Sequence, residues 1–318
     1  MNVLLCGSWE FAERDAWADV LRQALAPRHR LLLSRGQADD AAIEVAVVAN
    51  PPPGSLVGLP RLRLIQSLWA GVDRLLADAT LPRGVPLARM VDPAMNAAMA
   101  ETALWAVLSL HRGFFDYARA QRAGQWRQLP QQRADEVPVL LLGFGQMGRA
   151  AAARIAALGY PVTAWRRHAA SAETSAEGSG LQVVHGDDAL ATAAAVARVV
   201  VNLLPLTEDT RGVLGSRLFA RLRPGAAIVN LARGAHLVAD DLLVALDSGA
   251  VGHAVLDVFE REPLPADHPF WTHPGVTLLP HMAALTDARS AAAVVVRNVD
   301  ALEARRPLQN EVRRERGY

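Results

Sequence analysis

At 318 residues the chain is long enough for two domains, and its 51% hydrophobic content fits packed cores rather than a disordered polymer. A formal net charge of +1 offers no global field for nucleic acid or an anionic membrane surface, and no apolar run reaches membrane-spanning length. All 33 basic residues are arginine, so a Schiff-base lysine, a lysine general base and a Walker-type lysine are excluded.

The chain opens on Met1-Asn2-Val3-Leu4-Leu5-Cys6, which lacks the basic start of a signal peptide and reads as a buried strand at 3–5. Cys6 is the single cysteine, so no intrachain disulfide is possible, and a reducing, cytoplasmic setting is expected. One cysteine and scattered histidines show no ligand spacing, so no metal is expected. Residues 11–25 have helical apolar spacing. Short strands are expected at 31–34, 45–49, 64–67 and 86–89, with a loop at Pro51-Pro52-Pro53-Gly54. This alternation argues for a parallel sheet covered by helices on both faces.

Residues 97–112 follow as a long apolar helix, and 114–125 continue helically. Between Glu101 and Arg127, Leu104, Val107, Leu108, Leu110, Phe114 and Phe115 make a stripe wider than one core face needs, and Trp126 follows. The expectation is a homodimer through this arm; the competing reading is packing within the domain. After Pro130 and a polar stretch, a second alternating series begins. Strands are expected at 139–142, 162–165, 199–203, 227–230, 252–257 and 277–279, with helices between them, including 240–248. Residues 171–180, rich in Ser, Gly, Ala and Glu, read as a flexible surface loop, and 288–304 as a last helix.

The second series starts with Leu140-Leu141-Leu142-Gly143-Phe144-Gly145-Gln146-Met147-Gly148 and runs into an alanine-rich helix. Strand, glycine turn and helix start come in the order a dinucleotide site requires. Gly143 permits the turn, Gly145 lets N–H groups approach a pyrophosphate, and Gly148 lets helix and strand pack closely. The next strand ends at Trp165 and is followed by Arg166-Arg167-His168. Proteins that prefer NAD place an acid there to bond the ribose hydroxyls. Here Arg166 holds that position with Arg167 beside it, and the first carboxylate afterwards is Glu173. Two arginines suit a 2′-phosphate, so NADP(H) is expected over NAD(H), which remains usable.

Arg233, Glu262 and His281 each follow a later expected strand. Loops at the carboxyl ends of strands in such a sheet face one crevice. Their types suit reduction of a keto acid. An arginine binds a carboxylate through two parallel hydrogen bonds, and a histidine supplies the proton the new alkoxide needs. A glutamate bonded to that imidazole fixes its tautomer and favours the imidazolium. Glu260 competes with Glu262, two residues away.

The chain resembles the D-isomer-specific 2-hydroxyacid dehydrogenases, and within them the glyoxylate/hydroxypyruvate reductase A branch. The resemblance rests on the glycine loop, Asn202-Leu203-Leu204-Pro205-Leu206-Thr207, Asn230-Leu231-Ala232-Arg233-Gly234, Leu256-Asp257-Val258-Phe259, Glu262-Pro263-Leu264-Pro265, His268-Pro269-Phe270-Trp271, Pro280-His281 and the tail Arg316-Gly317-Tyr318. It implies an α/β fold of two Rossmann-like domains with a cleft between them. A flavodoxin-like substrate domain takes 1–92 and 283–318. An NAD(P)-binding Rossmann domain takes 93–282, with a dimerisation arm at about 97–130. It implies Arg233, Glu262 and His281 as the catalytic trio. It places Trp69, Ala70 and Gly71 at the substrate, with backbone N–H groups on its carboxylate. It adds Phe144, Gln146, Met147, Leu204, Pro205, Ala232 and Asp257 to the cofactor site, Asp257 at the nicotinamide amide. Met282 departs from the small residue or Ile that many relatives carry after the histidine. The activity implied is NAD(P)H-dependent reduction of small 2-keto acids, such as glyoxylate and hydroxypyruvate, to D-2-hydroxy acids. Two alternatives resemble the same family. One is a nucleotide-sensing binding protein of the C-terminal-binding-protein type, against which the intact trio and the lack of an added disordered segment weigh. The other is phosphoglycerate dehydrogenase, against which the end of the chain at Tyr318 weighs.

Overall fold

A computed structural model describes residues 1–169 and 181–317. The loop expected at 171–180, Glu173 and Tyr318 therefore lie outside the described residues. Two compact units emerge: Met1–Met95 with Thr286–Tyr318, and Asn96–Leu285.

The first unit begins with β1 (Asn2–Gly7), α1 (Phe11–Leu25), β2 (Arg30–Leu32) and β3 (Ile43–Ala49). It continues with β4 (Leu64–Ser67), α2 (Asp73–Leu76) and β5 (Leu87–Ala88). The five strands are parallel, in the order β2-β1-β3-β4-β5. β3 carries an almost unbroken apolar run because parallel strands are covered on both faces. Near its end the chain closes the free edge of β5: Arg89 N–H donates to the Asn310 carbonyl and Val312 N–H to the Leu87 carbonyl.

The second unit holds α3 (Pro93–His111), whose first turn precedes the unit boundary, and α4 (Phe114–Arg122). Its sheet is built from β6 (Val139–Leu142), β7 (Val162–Arg166), β8 (Leu181–His185), β9 (Val199–Asn202), β10 (Ala226–Asn230), β11 (Val251–Leu256) and β12 (Val276–Leu278). The helices among them are α5 (Gln146–Ala157), α6 (Asp187–Val196), α7 (Ser216–Phe219) and α8 (Ala239–Asp247). The order is β12-β11-β10-β9-β6-β7-β8, and every pair is parallel. Alternate residues of one strand serve opposite faces. Leu141, Val201, Val229 and Val255 join a cluster with Ala100, Ala103 and Val107 of α3 and Ala151, Ala152 and Ile155 of α5. Leu140, Leu142, Val200 and Ile228 join the cluster with Ala193 and Ala194 of α6 and Leu242 of α8. The strand order reverses between β6 and β9, which is where a ligand crevice is expected in such a sheet.

After Leu285 the chain returns to the first unit and forms α9 (Ala288–Glu303). Asp287 caps it through the Ser290 N–H, and Ala291, Val294, Val295, Asn298 and Val299 make its buried face. No helix of the described residues is long and apolar enough to cross a membrane.

The expected stripe on the arm divides. Val107 is fully buried, and Leu104, Leu108, Leu110 and Phe115 pack against the core of their own unit. Phe114, Trp105 and Trp126 stand out, at 54%, 40% and 97% exposure. α3 is apolar around most of its circumference, so spacing alone does not say which residues serve the sheet.

Candidate active site

The glycine loop joins β6 to α5, and its three glycines answer three constraints. Gly143 has φ +101°, and a Cβ there would lie 2.7 Å from the Leu203 carbonyl oxygen. At Gly148 a Cβ would meet the Gly143 carbonyl oxygen at 2.1 Å, so helix and turn touch as glycine alone allows. At Gly145, which precedes α5, a Cβ would meet nothing within 4 Å. The open side of the loop is thus the side at the helix N-terminus, where the first-turn N–H groups have no intrahelical acceptors. This cradle fits a dinucleotide pyrophosphate.

Arg233 follows β10, Glu262 lies in the segment after β11, and His281 follows β12. His281 Nδ1 lies 2.8 Å from Glu262 Oε2, so the ring N–H donates to the carboxylate. The other carboxylate oxygen, Oε1, accepts from the Phe259 N–H at 2.9 Å, which holds Glu262 from both ends. Glu260, the competitor, is exposed. His281 has φ +54°, a left-handed conformation unusual for a residue with a side chain. Three bonds hold it there. Its own N–H donates to the Asp257 carbonyl at 2.8 Å, and the next two N–H groups, of Met282 and Ala283, donate to the Asp257 carboxylate at 2.7 and 3.1 Å. Asp257 is only 1% exposed; burial pushes its carboxyl upward, and the two N–H bonds pull it back. Here Asp257 is the anchor of the histidine loop.

The Arg233 loop is pinned by residues the sequence reading did not single out for a role. Asn202 and Asn230, each the last residue of its strand, are fully buried and joined by a 3.0 Å hydrogen bond from Asn202 Nδ2 to Asn230 Oδ1. Asn230 Nδ2 donates to the Arg233 carbonyl, and Asn230 Oδ1 accepts the Ala232 N–H. A Cβ on Gly234 would fall 1.9 Å from the Phe259 carbonyl carbon, so the Arg233 loop lies directly on the segment that leads to Glu262. Leu204 is buried and its N–H donates to Asn202 Oδ1, while Pro205 is exposed. The signal in the sequence was an asparagine closing two successive apolar strands.

Arg166 is the last residue of β7, and Arg167 follows it. Arg167 donates to the Asp209 carbonyl. The Phe144 ring has the Arg149 guanidinium 4.4 Å and the Arg166 guanidinium 5.9 Å from its centroid. In the first unit, Trp69, Ala70 and Gly71 follow β4. The Trp69 ring packs edge-on against Trp17 with centroids 6.1 Å apart; the Trp69 backbone N–H donates to the Ser67 hydroxyl, which in turn donates to the Trp69 carbonyl. His273, just before β12, is satisfied by Asp247 and the Gly275 N–H. His29, Asp300 and Glu303 bring ligand-type atoms within 4.8 Å of one another, but Asp300 is already paired with Arg28 and His29.

Comparison with known proteins decides the family. The profile of the D-isomer specific 2-hydroxyacid dehydrogenase NAD binding domain matches residues 104–283. The chain belongs to the D-isomer specific 2-hydroxyacid dehydrogenase family. Glyoxylate/hydroxypyruvate reductase A of Serratia proteamaculans (strain 568) is 41% identical to it over 299 residues, covering 92% of this chain and 93% of that protein. A solved D-isomer specific 2-hydroxyacid dehydrogenase from Xanthobacter autotrophicus Py2, in complex with NADPH and MES, superposes with a TM-score of 0.92 at 35% identity, over 100% of this chain and 99% of that one. The NADPH-dependent glyoxylate/hydroxypyruvate reductase of Sinorhizobium meliloti, in complex with NADP and sulfate, reaches 0.90 at 32% identity over the same shares. The family and the α/β fold of two parallel sheets agree with the sequence expectation.

Proposed function

We propose that this protein reduces small 2-keto acids, glyoxylate and hydroxypyruvate among them, to D-2-hydroxy acids with NADPH. The observation that carries this reading is the 2.8 Å bond between His281 Nδ1 and Glu262 in the same unit as the glycine cradle. The bound nicotinamide supplies the hydride. Arg233 holds the substrate carboxylate and polarises the keto oxygen. His281 donates its Nε2 proton to that oxygen as the carbonyl carbon is reduced, and Glu262 stabilises and orients the charged ring. Asp257 keeps the ring in place through the loop it anchors. Backbone N–H groups near Ala70 and Gly71 bind the carboxylate, with Trp69 beside them.

NADPH is preferred through Arg166 and Arg167, and the NADPH- and NADP-bound relatives support that preference. NADH serves less well. The single cysteine supports a reducing, cytoplasmic setting. The enzyme is a two-fold dimer through the arm that carries Trp105, Phe114 and Trp126. The relatives named above favour neither the nucleotide-sensing binding protein nor phosphoglycerate dehydrogenase.

The test is loss of NADPH absorbance with a panel of 2-keto acids, run beside NADH and beside 3-phosphoglycerate with NAD. Turnover of glyoxylate or hydroxypyruvate with NADPH supports the reading; no turnover of any keto acid with either cofactor overturns it. Exchanging Arg166 for Asp and Arg167 for Ser shifts the preference toward NADH.

A further inference from the structure

Three arginines, Arg149, Arg166 and Arg167, gather at the carboxyl end of β6 and β7 and the first turn of α5. Gathering like charges costs energy unless something offsets it. For Arg167 the offset is visible. It donates to the Asp209 carbonyl and lies 4.0 Å from the Asp209 carboxylate. Among the described residues Arg166 has no carboxylate within salt-bridge distance. What it has is the Phe144 ring. That ring is 7% exposed and belongs to the core cluster of its unit, so it is a fixed surface rather than a mobile one. The Arg149 and Arg166 guanidinium carbons lie 4.4 and 5.9 Å from its centroid, within the range in which a cation is attracted to an aromatic face. An arginine side chain has much rotamer freedom to lose before it can grip a ligand. A cation–π contact removes part of that freedom in advance and leaves the guanidinium edge, with its N–H donors, open for hydrogen bonds.

We propose that Phe144 is a positioning residue for the cofactor's 2′-phosphate, its ring holding the Arg166 guanidinium where that phosphate binds, with Arg149 as a second cation on the same ring. This role depends on the aromatic face of the residue between Gly143 and Gly145, a position the glycine pattern leaves open to any residue. It rests on the NADPH preference proposed above.

The experiment is calorimetric binding of adenosine 2′,5′-bisphosphate and of 5′-AMP, which differ only in the 2′-phosphate, to the wild-type protein and to Phe144→Leu and Phe144→Trp. Leucine fills the space without a π face; tryptophan keeps one. The expected result is that Phe144→Leu weakens the bisphosphate by about fivefold or more and leaves 5′-AMP unchanged. Phe144→Trp restores the bisphosphate. Equal weakening of both nucleotides assigns Phe144 to the loop as a whole and overturns the proposal, as does no change in either. A wild-type protein that binds both nucleotides equally removes the 2′-phosphate site itself, and this inference with it. Discrimination in the wild type that survives Phe144→Leu leaves the NADPH reading intact and overturns the role of Phe144 alone.

Discussion

At the level of single residues, the proposed chemistry depends on a histidine in a conformation that its own backbone disfavours. His281 takes φ +54° because Asp257 accepts the three consecutive N–H groups of residues 281–283. Strain of this kind costs about 1–3 kcal/mol and persists where the surroundings over-determine it. Replacing His281 by Ala is expected to lower kcat by about two orders of magnitude or more, since a positioned acid contributes about that much. Arg233→Ala is expected to raise KM and lower kcat together, because on the proposed mechanism it removes both carboxylate binding and support for the developing charge. Steady-state kinetics with glyoxylate checks both, and wild-type turnover in either variant removes that residue from the mechanism. The types of these residues, and their place after strands, were readable from the chain. The residue types alone left Glu260 as a competitor of Glu262; only the family resemblance pointed to Glu262. The choice depends on the Phe259 N–H and on where His281 ends up, both settled by packing between segments far apart in sequence. The bonds from Asp257 to the histidine loop were not readable for the same reason: nothing in the sequence at a strand end shows which N–H groups a carboxylate will meet.

The elements that carry the site hold it through contacts between loops, and these contacts set two expectations. Gly234 lies so close to Phe259 and Glu260 that Gly234→Ala has no room without moving one loop. Overpacking of this sort costs about 1–3 kcal/mol. The variant unfolds at lower temperature and loses kcat, because the shift separates Arg233 from the Glu262 segment; an unchanged melting temperature and kcat would falsify this account. The second expectation concerns α4. Phe115 stacks on His253 of β11, with centroids 4.6 Å apart and planes at 2°. Burial lowers the His253 pKa from 6.5 to about 4; Asp116 opposes the shift, while Arg119 and His273 add to it. The folded state therefore favours the neutral ring. Stability present above pH 6.5 is lost as pH falls through about 4, where the folded form also takes up the proton. At about 1.4 kcal/mol per pH unit the loss approaches about 3 kcal/mol. Urea unfolding across that range shows a smaller fall for His253→Gln than for the wild type, and parallel curves contradict it. Strands with apolar runs, such as β3, β6 and β9, were legible because both their faces are covered. β8 was not, since it lies at the sheet edge and its residues are half-buried or exposed.

For the whole molecule, the order of elements was the most legible feature. Two series of alternating strands and helices predict two parallel sheets, and right-handed crossovers leave few ways to arrange each one. What the pattern did not resolve is which apolar residues of the arm serve the core, because α3 supplies apolar residues in most directions. The structure separates them and narrows the dimer prediction to Trp105, Phe114 and Trp126. Scattered exposed apolar residues are ordinary on a monomer, but three large aromatics on one short stretch of chain are not. Aromatic side chains contribute much of the contact energy in protein interfaces, and a two-fold axis uses each of them twice. Phe114 and Trp126 lie at the two ends of the segment formed by α4 and the turn after it, so both belong to the same part of the arm. The protein is therefore expected to scatter light as twice the chain mass at micromolar concentration. Phe114→Glu with Trp126→Glu is expected to halve that mass and leave NADPH binding in place, since neither residue belongs to the glycine loop or to the arginines around it. A wild-type monomer refutes the dimer. A double variant that remains dimeric moves the interface away from these aromatics and returns the arm to packing within its own unit.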